Sequence, residues 1–234
     1  MADQAPHIVS SYDDELHRLR SVILQMGALC DAQLTAAIDA LAEGDAPGAQ
    51  AVVALDARAD ALYDEAQDAA IGIFVRHAPL ADDLREVVAT LKIAGWLERA
   101  ADHAKNIARR AVDVAGLDAA APAALVLDLG AQAKALMRAA LEAYADRDAV
   151  QATNVIAGDE RIDADYRRVF DALLAFTKGQ PLALTATTHL HFIAKNFERI
   201  ADEATNIAEQ VRYAVSGEVP VPRVTTPLPV VSAG

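Results

Sequence analysis

The stretch LERAADHAKNIA at residues 97–108 returns later in the chain as FERIADEATNIA at residues 197–208. Both copies keep Glu, Arg, Asp, Asn and the final Ile-Ala in register. Neither copy contains Gly, Pro or a run of β-branched residues, which favours a helix. In a helix, Glu98, Asp102 and Asn106 lie four apart and form one row of oxygen-bearing side chains. Like charges at this spacing cost an isolated helix about 0.2–0.5 kcal/mol per pair, which raises the question of what compensates them.

The overall composition predicts an almost all-α protein. Hydrophobic residues make up 53% of the 234 residues, much of this fraction is Ala, and aromatic residues are only 5%. Few segments alternate apolar and polar residues, so helices that pack closely through small side chains are favoured over strands.

The charge and the chain start predict a cytoplasmic protein that does not bind nucleic acid. The formal net charge is −13, and no basic stripe is present to neutralise phosphates. We see no apolar run near the ~20 residues that cross a bilayer, and the acidic, polar start lacks the pattern of a signal peptide. The single cysteine, Cys30, lies among apolar residues and is interpreted as a buried small hydrophobe.

Helical periodicity divides the chain into two sets of three helices. Apolar residues recur every three or four positions over about 12–43, 47–77 and 80–115, with Asp45 as the predicted N-cap of the second helix. Residues 116–122 read as a break. The predicted organisation is an N-terminal tail at 1–11, three-helix bundles at 12–117 and 122–216, and a Pro-rich, poorly ordered tail at 217–234.

The second half repeats the first. The segment LTAAIDA at 34–40 aligns with MRAALEA at 137–143, and the match continues through several polar positions: Asp45/Asp148, Asp56/Asp159, Arg58/Arg161, Asp60/Asp163 and Tyr63/Tyr166. The offset between the copies is 103 residues here and 100 by the third helix, a difference that falls near residues 178–181. A repeat of this length indicates one supersecondary unit used twice. Two tandem three-helix bundles follow from it.

Repetition also selects among the acidic pairs. Pairs four apart are common in so acidic a chain, so the spacing by itself is weak evidence. Three pairs recur in register: Asp39/Glu43 with Glu142/Asp146, Asp56/Asp60 with Asp159/Asp163, and Glu98/Asp102 with Glu198/Asp202. The first set leads into a turn and is interpreted as a solvated helix end. The other two sets lie beside the inward apolar stripe or away from it, and Glu198 and Asp202 point well off that stripe.

These two sets could meet across the groove between the second and third helices of each bundle. Four carboxylates sharing a patch repel one another unless they are protonated or neutralised by a cation. Oxygen-rich ligand sets suit magnesium, manganese or iron, and bridging carboxylates suit more than one ion. A merely solvated acidic face remains the alternative at this point.

Other residue types predict little chemistry. His189 and His191 diverge on a helix, His103 points away from the acidic row, and Trp96 is interpreted as a packing residue. The sequence contains no Gly-rich phosphate loop, nucleophile elbow or helical zinc motif.

The duplicated Glu-Arg-x-Ala-Asp-x-Ala-x-Asn-Ile-Ala segments strongly resemble the PhoU family of phosphate-transport regulators. The segment PLADDLR at 79–85 and the Asp-x-x-x-Asp pairs add to the resemblance, which covers nearly all six helices. It implies tandem three-helix bundles with surface metal clusters, which can be multinuclear and hold iron, manganese, magnesium or zinc. Carried over by position, the metal ligands are Asp56, Asp60, Glu98 and Asp102 in one site, and Asp159, Asp163, Glu198 and Asp202 in the other. One departure is Ala101 and Ala201, where the family usually has Gly.

The resemblance further implies a regulatory function without catalysis. Such a protein restrains the phosphate-starvation response by linking the ATPase subunit of the phosphate ABC transporter to a sensor histidine kinase. It would be a homodimer that meets the membrane only through these partners. Two alternatives stay open: a carboxylate-bridged, metal-dependent hydrolase of phosphate esters, and a metal-free structural accessory protein.

Overall fold

A computed structural model describes residues 5–117 and 120–220, and within these ranges the chain is helical with no β-strand. The all-α prediction and the two repeated three-helix units are confirmed. The elements are α1 (Ala5–Glu43), α2 (Ala46–Ala54), α3 (Asp56–His77), α4 (Ala81–Val114), α5 (Ala120–Asp146), α6 (Ala149–Gly179), a 3-10 turn (Pro181–Ala183) and α7 (Leu184–Ser216).

The two repeats differ in their second helix. The sequence predicted one helix over about 47–77, but the first repeat breaks it at Leu55 into α2 and α3. The Leu55 N–H donates to the Val52 carbonyl at 3.1 Å, a tight 3-10-type bond that interrupts the α-helical ladder. The equivalent α6 is continuous. Asp45 occupies the predicted N-cap position of α2, but its side chain makes no capping hydrogen bond, whereas Asp148 caps α6 by accepting from the backbone N–H groups of Val150 and Gln151.

The ends of the chain differ in part from the predicted tails. Helix α1 begins at Ala5, so residues 5–11 are helical where a tail was predicted. Gly217, in the left-handed region at φ 75°, ends α7 and allows the chain to leave the helix. Residues 221–234, the greater part of the predicted Pro-rich tail, lie outside the described residues, as do residues 118 and 119 between the repeats.

The repeats share one hydrophobic core. Helices α4 and α7 lie at its centre and run antiparallel, since His103 contacts Asn196 at 3.1 Å while Asp113 lies 3.5 Å from His189. Both helices are rich in alanine, a small side chain that lets helices pack closely, and these alanines are almost completely buried: Ala94, Ala101, Ala104, Ala108, Ala194, Ala201, Ala204 and Ala208.

Helix α1 corrects one expectation. Its segment Ser11–Glu43 is long and apolar enough, by length and composition, to cross a membrane, although no such span was expected from the sequence. The apolar face of this segment is packed in the core, where Leu19, Ile23 and Leu34 are at most 1% exposed. A core helix passes the same test of length and composition. Cys30 lies on this buried face, as predicted.

Candidate functional site

The first set of predicted ligands converges where the first turns of α3 pack beside the middle of α4. Asp56 opens α3 and Asp60 follows one turn later, while Glu98 and Asp102 lie on α4. Burial raises the pKa of Glu98, and the neighbouring charges of Asp102, Asp60 and Asp56 raise it further. The four carboxylates therefore share one electrostatic environment. We call Asp56, Asp60, Glu98 and Asp102 the first carboxylate cluster.

A lysine from the same helix lies inside the first cluster. The Lys105 ammonium donates to Asp56 Oδ2 at 2.8 Å and lies 2.6 Å from Asp102 Oδ1, so it joins α3 to α4. Its side chain is only 13% exposed. Burial lowers the pKa of Lys105, but the hydrogen bonds to Asp102 and Asp56 outweigh burial and raise it. Lys105 therefore places a positive charge between the carboxylates of Asp56 and Asp102.

The second set of predicted ligands converges in the same way on α6 and α7. Asp159 and Asp163 lie on α6, and Glu198 and Asp202 lie on α7. Burial raises the pKa of Asp202 to about 7, with further contributions from Glu198, Asp159 and Asp163. We call these four residues the second carboxylate cluster. Asp202 is only partly ionised at neutral pH, because burial and the neighbouring acids favour its protonated form.

Two other side chains border the second cluster. The Lys195 ammonium lies 2.6 Å from Glu198 Oε1 and 2.5 Å from Oε2, with 41% of its side chain exposed. The Thr205 hydroxyl lies 3.2 Å from Asp159 Oδ1 and donates to the Ala201 carbonyl at 3.0 Å. Thr205 occupies the position in FERIADEATNIA that Lys105 occupies in LERAADHAKNIA. The same position thus presents a cation to one cluster and a neutral hydroxyl to the other.

Neither cluster is a preformed metal cage. In residues 5–117 and 120–220, no three Asp, Glu, His or Cys side chains are arranged to hold a metal ion. Binding would require the carboxylates to rotate toward a shared ion. The second cluster fits such a cation, because burial and then repulsion from Glu198, Asp159 and Asp163 raise the pKa of Asp202, and a bound positive charge would favour its ionised form. In the first cluster, the Lys105 ammonium already lies between two of the oxygens.

The remaining sequence predictions have clear outcomes. The four acids interpreted as solvated helix ends, Asp39, Glu43, Glu142 and Asp146, are exposed. The Ala residues that replace the family's usual Gly, Ala101 and Ala201, are buried among the helices, so their methyl groups do not narrow the solvent side of either cluster. Trp96 packs against the core, as interpreted from the sequence.

The histidines have packing partners outside both clusters. His103 contacts Asn196 at 3.1 Å, and its pKa is lowered, chiefly by burial. The His191 ring packs edge-on against Phe170, with 4.2 Å between centroids. His189 lies 3.5 Å from Asp113 across the α4–α7 contact.

Sequence reasoning missed a buried ion-pair cluster at the opposite end of α4. Glu86 is only 8% exposed, and its carboxylate accepts hydrogen bonds from Arg20 of α1 and, at 2.6 Å, from Arg147. Arg147 lies in the turn before α6. Arg147 is in the left-handed region at φ 54°, which favours glycine, and the aligned position in the first repeat is Gly44. These residues are far apart in sequence and are not repeated, so a search for repeated pairs passes over them.

Comparison with known proteins agrees with this architecture. The PhoU domain model matches twice, at residues 23–111 and 126–211. A phosphate-specific transport system accessory protein PhoU homolog from Zymomonas mobilis is 40% identical over 217 residues, covering 93% of this chain and 92% of the relative. A homolog of the same name from Caulobacter vibrioides is 39% identical over 213 residues, covering 91% and 93%.

Solved structures give the same result. The crystal structure of PhoU from Pseudomonas aeruginosa superposes with a TM-score of 0.86 at 31% identity, covering 88% of this chain and all of the other. The phosphate transport system regulatory protein PhoU from Streptococcus pneumoniae gives a TM-score of 0.84 at 25% identity, covering 90% and 99%. On the repeated helices, the paired carboxylate clusters and these matches together, the chain belongs to the PhoU family.

Proposed function

We propose that the protein is a cytoplasmic, non-enzymatic regulator of phosphate uptake that restrains the phosphate-starvation response when phosphate is plentiful. The observation that carries the proposal is the pair of PhoU domains, which spans most of the chain. The relatives that match over nine-tenths of its length are named as accessory proteins of the phosphate-specific transport system.

The regulator is proposed to act as an adaptor. Its partners would be the ATPase subunit of the phosphate ABC transporter and the sensor histidine kinase of the phosphate two-component system, and it would act as a homodimer. A strongly acidic helical surface supports this role, because complementary charge speeds and orients protein association. Copurification of a tagged chain with either partner from membranes of its source organism tests it, and loss of both partners under high phosphate would contradict it.

Metal binding at the carboxylate clusters is part of the proposal. The second cluster offers four carboxylates, with the pKa of Asp202 raised to about 7 by burial and by its neighbours. A hard or borderline cation such as manganese, iron or magnesium would supply the missing positive charge and hold α6 and α7 together. The metal is proposed as a structural and modulatory element, without a chemical step.

Gene deletion tests the regulatory role. With phosphate in excess, a reporter driven by a phosphate-starvation promoter should become active in the deletion strain and silent again when the wild-type gene is restored. A D159N/D202N double variant should restore silence less well. The matched control is D39N/E43Q, which changes a repeated but exposed acidic pair and should restore silence fully. An unchanged reporter in the deletion strain would contradict the proposed function.

An assay of phosphatase activity separates the regulator from the hydrolase alternative. Manganese-loaded protein is incubated with a generic phosphomonoester, and no turnover above that of free manganese is expected. Turnover that disappears when Glu98 or its counterpart Glu198 is changed to Ala would favour the hydrolase instead.

A further inference from the structure

We infer that Lys105 is the resident cation of the first carboxylate cluster and excludes metal ions from it, so that metal binding is confined to the second cluster. The inference rests on the proposed metal binding for its second half. Its first half rests on the contacts of Lys105 alone.

The Lys105 ammonium lies between carboxylates of two different helices. Lys105 Nζ lies 2.8 Å from Asp56 Oδ2 on α3 and 2.6 Å from Asp102 Oδ1 on α4. A metal ion that bridged Asp56 and Asp102 would contact these same oxygens. Only 13% of the Lys105 side chain is exposed, so the charge is enclosed between the helices. The ammonium therefore makes the helix-to-helix bridge that a cation would make.

The other repeat has a neutral side chain at the position of Lys105. Thr205 takes the position of Lys105, and its hydroxyl lies 3.2 Å from Asp159, the counterpart of Asp56. A hydroxyl adds no charge, so Thr205 does not supply Asp159 with the positive charge that Lys105 supplies to Asp56. Among the described residues, the lysine that pairs with this cluster is Lys195, which contacts Glu198 of its own helix and has 41% of its side chain exposed. Lys195 therefore does not make the enclosed helix-to-helix bridge that Lys105 makes.

Lys105 and a metal ion would compete for the same carboxylate oxygens. A lysine already bonded to two carboxylates must lose both bonds, and its charge must move to solvent, before a metal ion can take the same oxygens. Charge-assisted hydrogen bonds are roughly twice as strong as neutral ones, so this displacement works against metal entry. A threonine imposes no such displacement. Metal affinity should therefore be much lower in the first cluster than in the second.

Metal counting on matched variants tests the inference. Full-length protein is stripped with a chelator, loaded with Mn²⁺ and desalted, and bound manganese is counted by elemental analysis. Wild type, K105T, K105R and D159N/D202N are compared. K105T reproduces the second repeat at this position and should bind about twice as much manganese as wild type, because two equivalent clusters replace one. K105R keeps the positive charge and should match wild type, whereas D159N/D202N should lose most of the bound metal.

A second readout does not depend on loading. In chelator, K105T should unfold at a lower temperature than wild type, because the first cluster loses its only enclosed cation among the described residues. Added Mn²⁺ should then restore more stability to K105T than to wild type. K105R should show neither change.

The outcomes separate the two proposals. Equal manganese in wild type and K105T, or wild-type manganese that falls in a D56N/D102N variant, would overturn the role of Lys105 and leave metal binding intact. Manganese bound by K105T but not by wild type would support Lys105 and contradict metal binding at the second cluster. No manganese in either protein would overturn both.

Discussion

The two repeats have the same acids and different surroundings. Each brings four carboxylates together between its second and third helices, but the first encloses Lys105 among them and the second places Thr205 there. The turn before the second helix is Gly44 in one repeat and a strained Arg147 in the other. An internal duplication can thus retain its acidic residues while the residues that compensate their charge diverge. Repeated acids therefore do not imply repeated counter-charges.

The largest expected effect concerns two glycines at aligned positions. A Cβ on Gly130 would lie 2.6 Å from the ring of Phe197, which is fully buried, whereas a Cβ on Gly27 would meet only the side-chain end of Leu141. Gly130→Ala should lower the free energy of unfolding by about 1–3 kcal/mol, and Gly27→Ala by less, since a leucine can move and an enclosed ring cannot. Urea denaturation measures both.

A rescue variant controls for the cause. Phe197→Leu, which reproduces Leu97 of the first repeat, should recover part of the loss when combined with Gly130→Ala. Additive losses in the double variant would show that the ring contact is not responsible.

The next effect concerns the aligned turns. Arg147→Ala removes a guanidinium from the buried Glu86 and keeps a side chain in the left-handed region. Arg147→Gly removes the same ion pair but relieves the backbone strain. We therefore expect the alanine variant to be less stable than the glycine variant by about 1 kcal/mol. Equal stabilities in urea denaturation would mean that the backbone strain at Arg147 is negligible.

Neutralising the aligned aspartates should have opposite effects in metal-free protein. Asp102→Asn removes a partner of Lys105 and should lower the free energy of unfolding at pH 8 by about 1 kcal/mol. Asp202→Asn removes a repelled charge and should raise it. Thermal unfolding in chelator measures both signs, and the same sign for the two variants would contradict the difference in compensation between the clusters.

The pH dependence follows from the raised pKa of Asp202. Its pKa is about 7 in the folded protein against 3.8 for an unperturbed Asp, so the folded state binds the proton more tightly. The stability contributed by this proton is present below about pH 4 and is lost as the pH rises to about 7. Asp202→Asn should flatten this part of the stability profile, measured by urea denaturation at several pH values. An unchanged slope would contradict the raised pKa.

The smallest effect concerns Lys195. Its positive charge lowers the pKa of Asp202, against the larger effects of burial and the neighbouring acids. Lys195→Met should therefore raise this pKa further, by a fraction of a unit because the lysine is partly exposed. Carbon-detected NMR titration of Asp202 measures the change. A lower pKa in the variant would contradict the assignment of Lys195 as a counter-charge.

The fold was largely predictable, because helical patterns depend on residues close in sequence and because the internal repeat shows each pattern twice. Apolar residues at helical spacing predicted the helices, and the copies at 97–108 and 197–208 predicted the two units. The break at Leu55 was not predictable, since leucine favours helices and only one tight hydrogen bond marks the interruption. The single core shared by both units depends on the α4–α7 contact, which periodicity does not specify.

For the candidate site, selecting residues that recur in both repeats identified the acids but omitted the residues that distinguish the two clusters. Selecting pairs that recur in register kept Asp56 and Asp159 but passed over Lys105, because its counterpart is Thr205. It passed over Glu86 for the same reason, since the acid is paired with arginines from distant segments. Unrepeated charges require coordinates, because their partners are set by packing rather than by spacing.

The central claim, that the two clusters differ in the cation they hold, is tested most directly by anomalous diffraction. Crystals of wild type and K105T are grown with Mn²⁺, and data are collected at the manganese absorption edge. The account predicts manganese peaks at Asp159, Asp163, Glu198 and Asp202 in both proteins, and at Asp56, Asp60, Glu98 and Asp102 only in K105T. Manganese at the first cluster of the wild-type protein would contradict it.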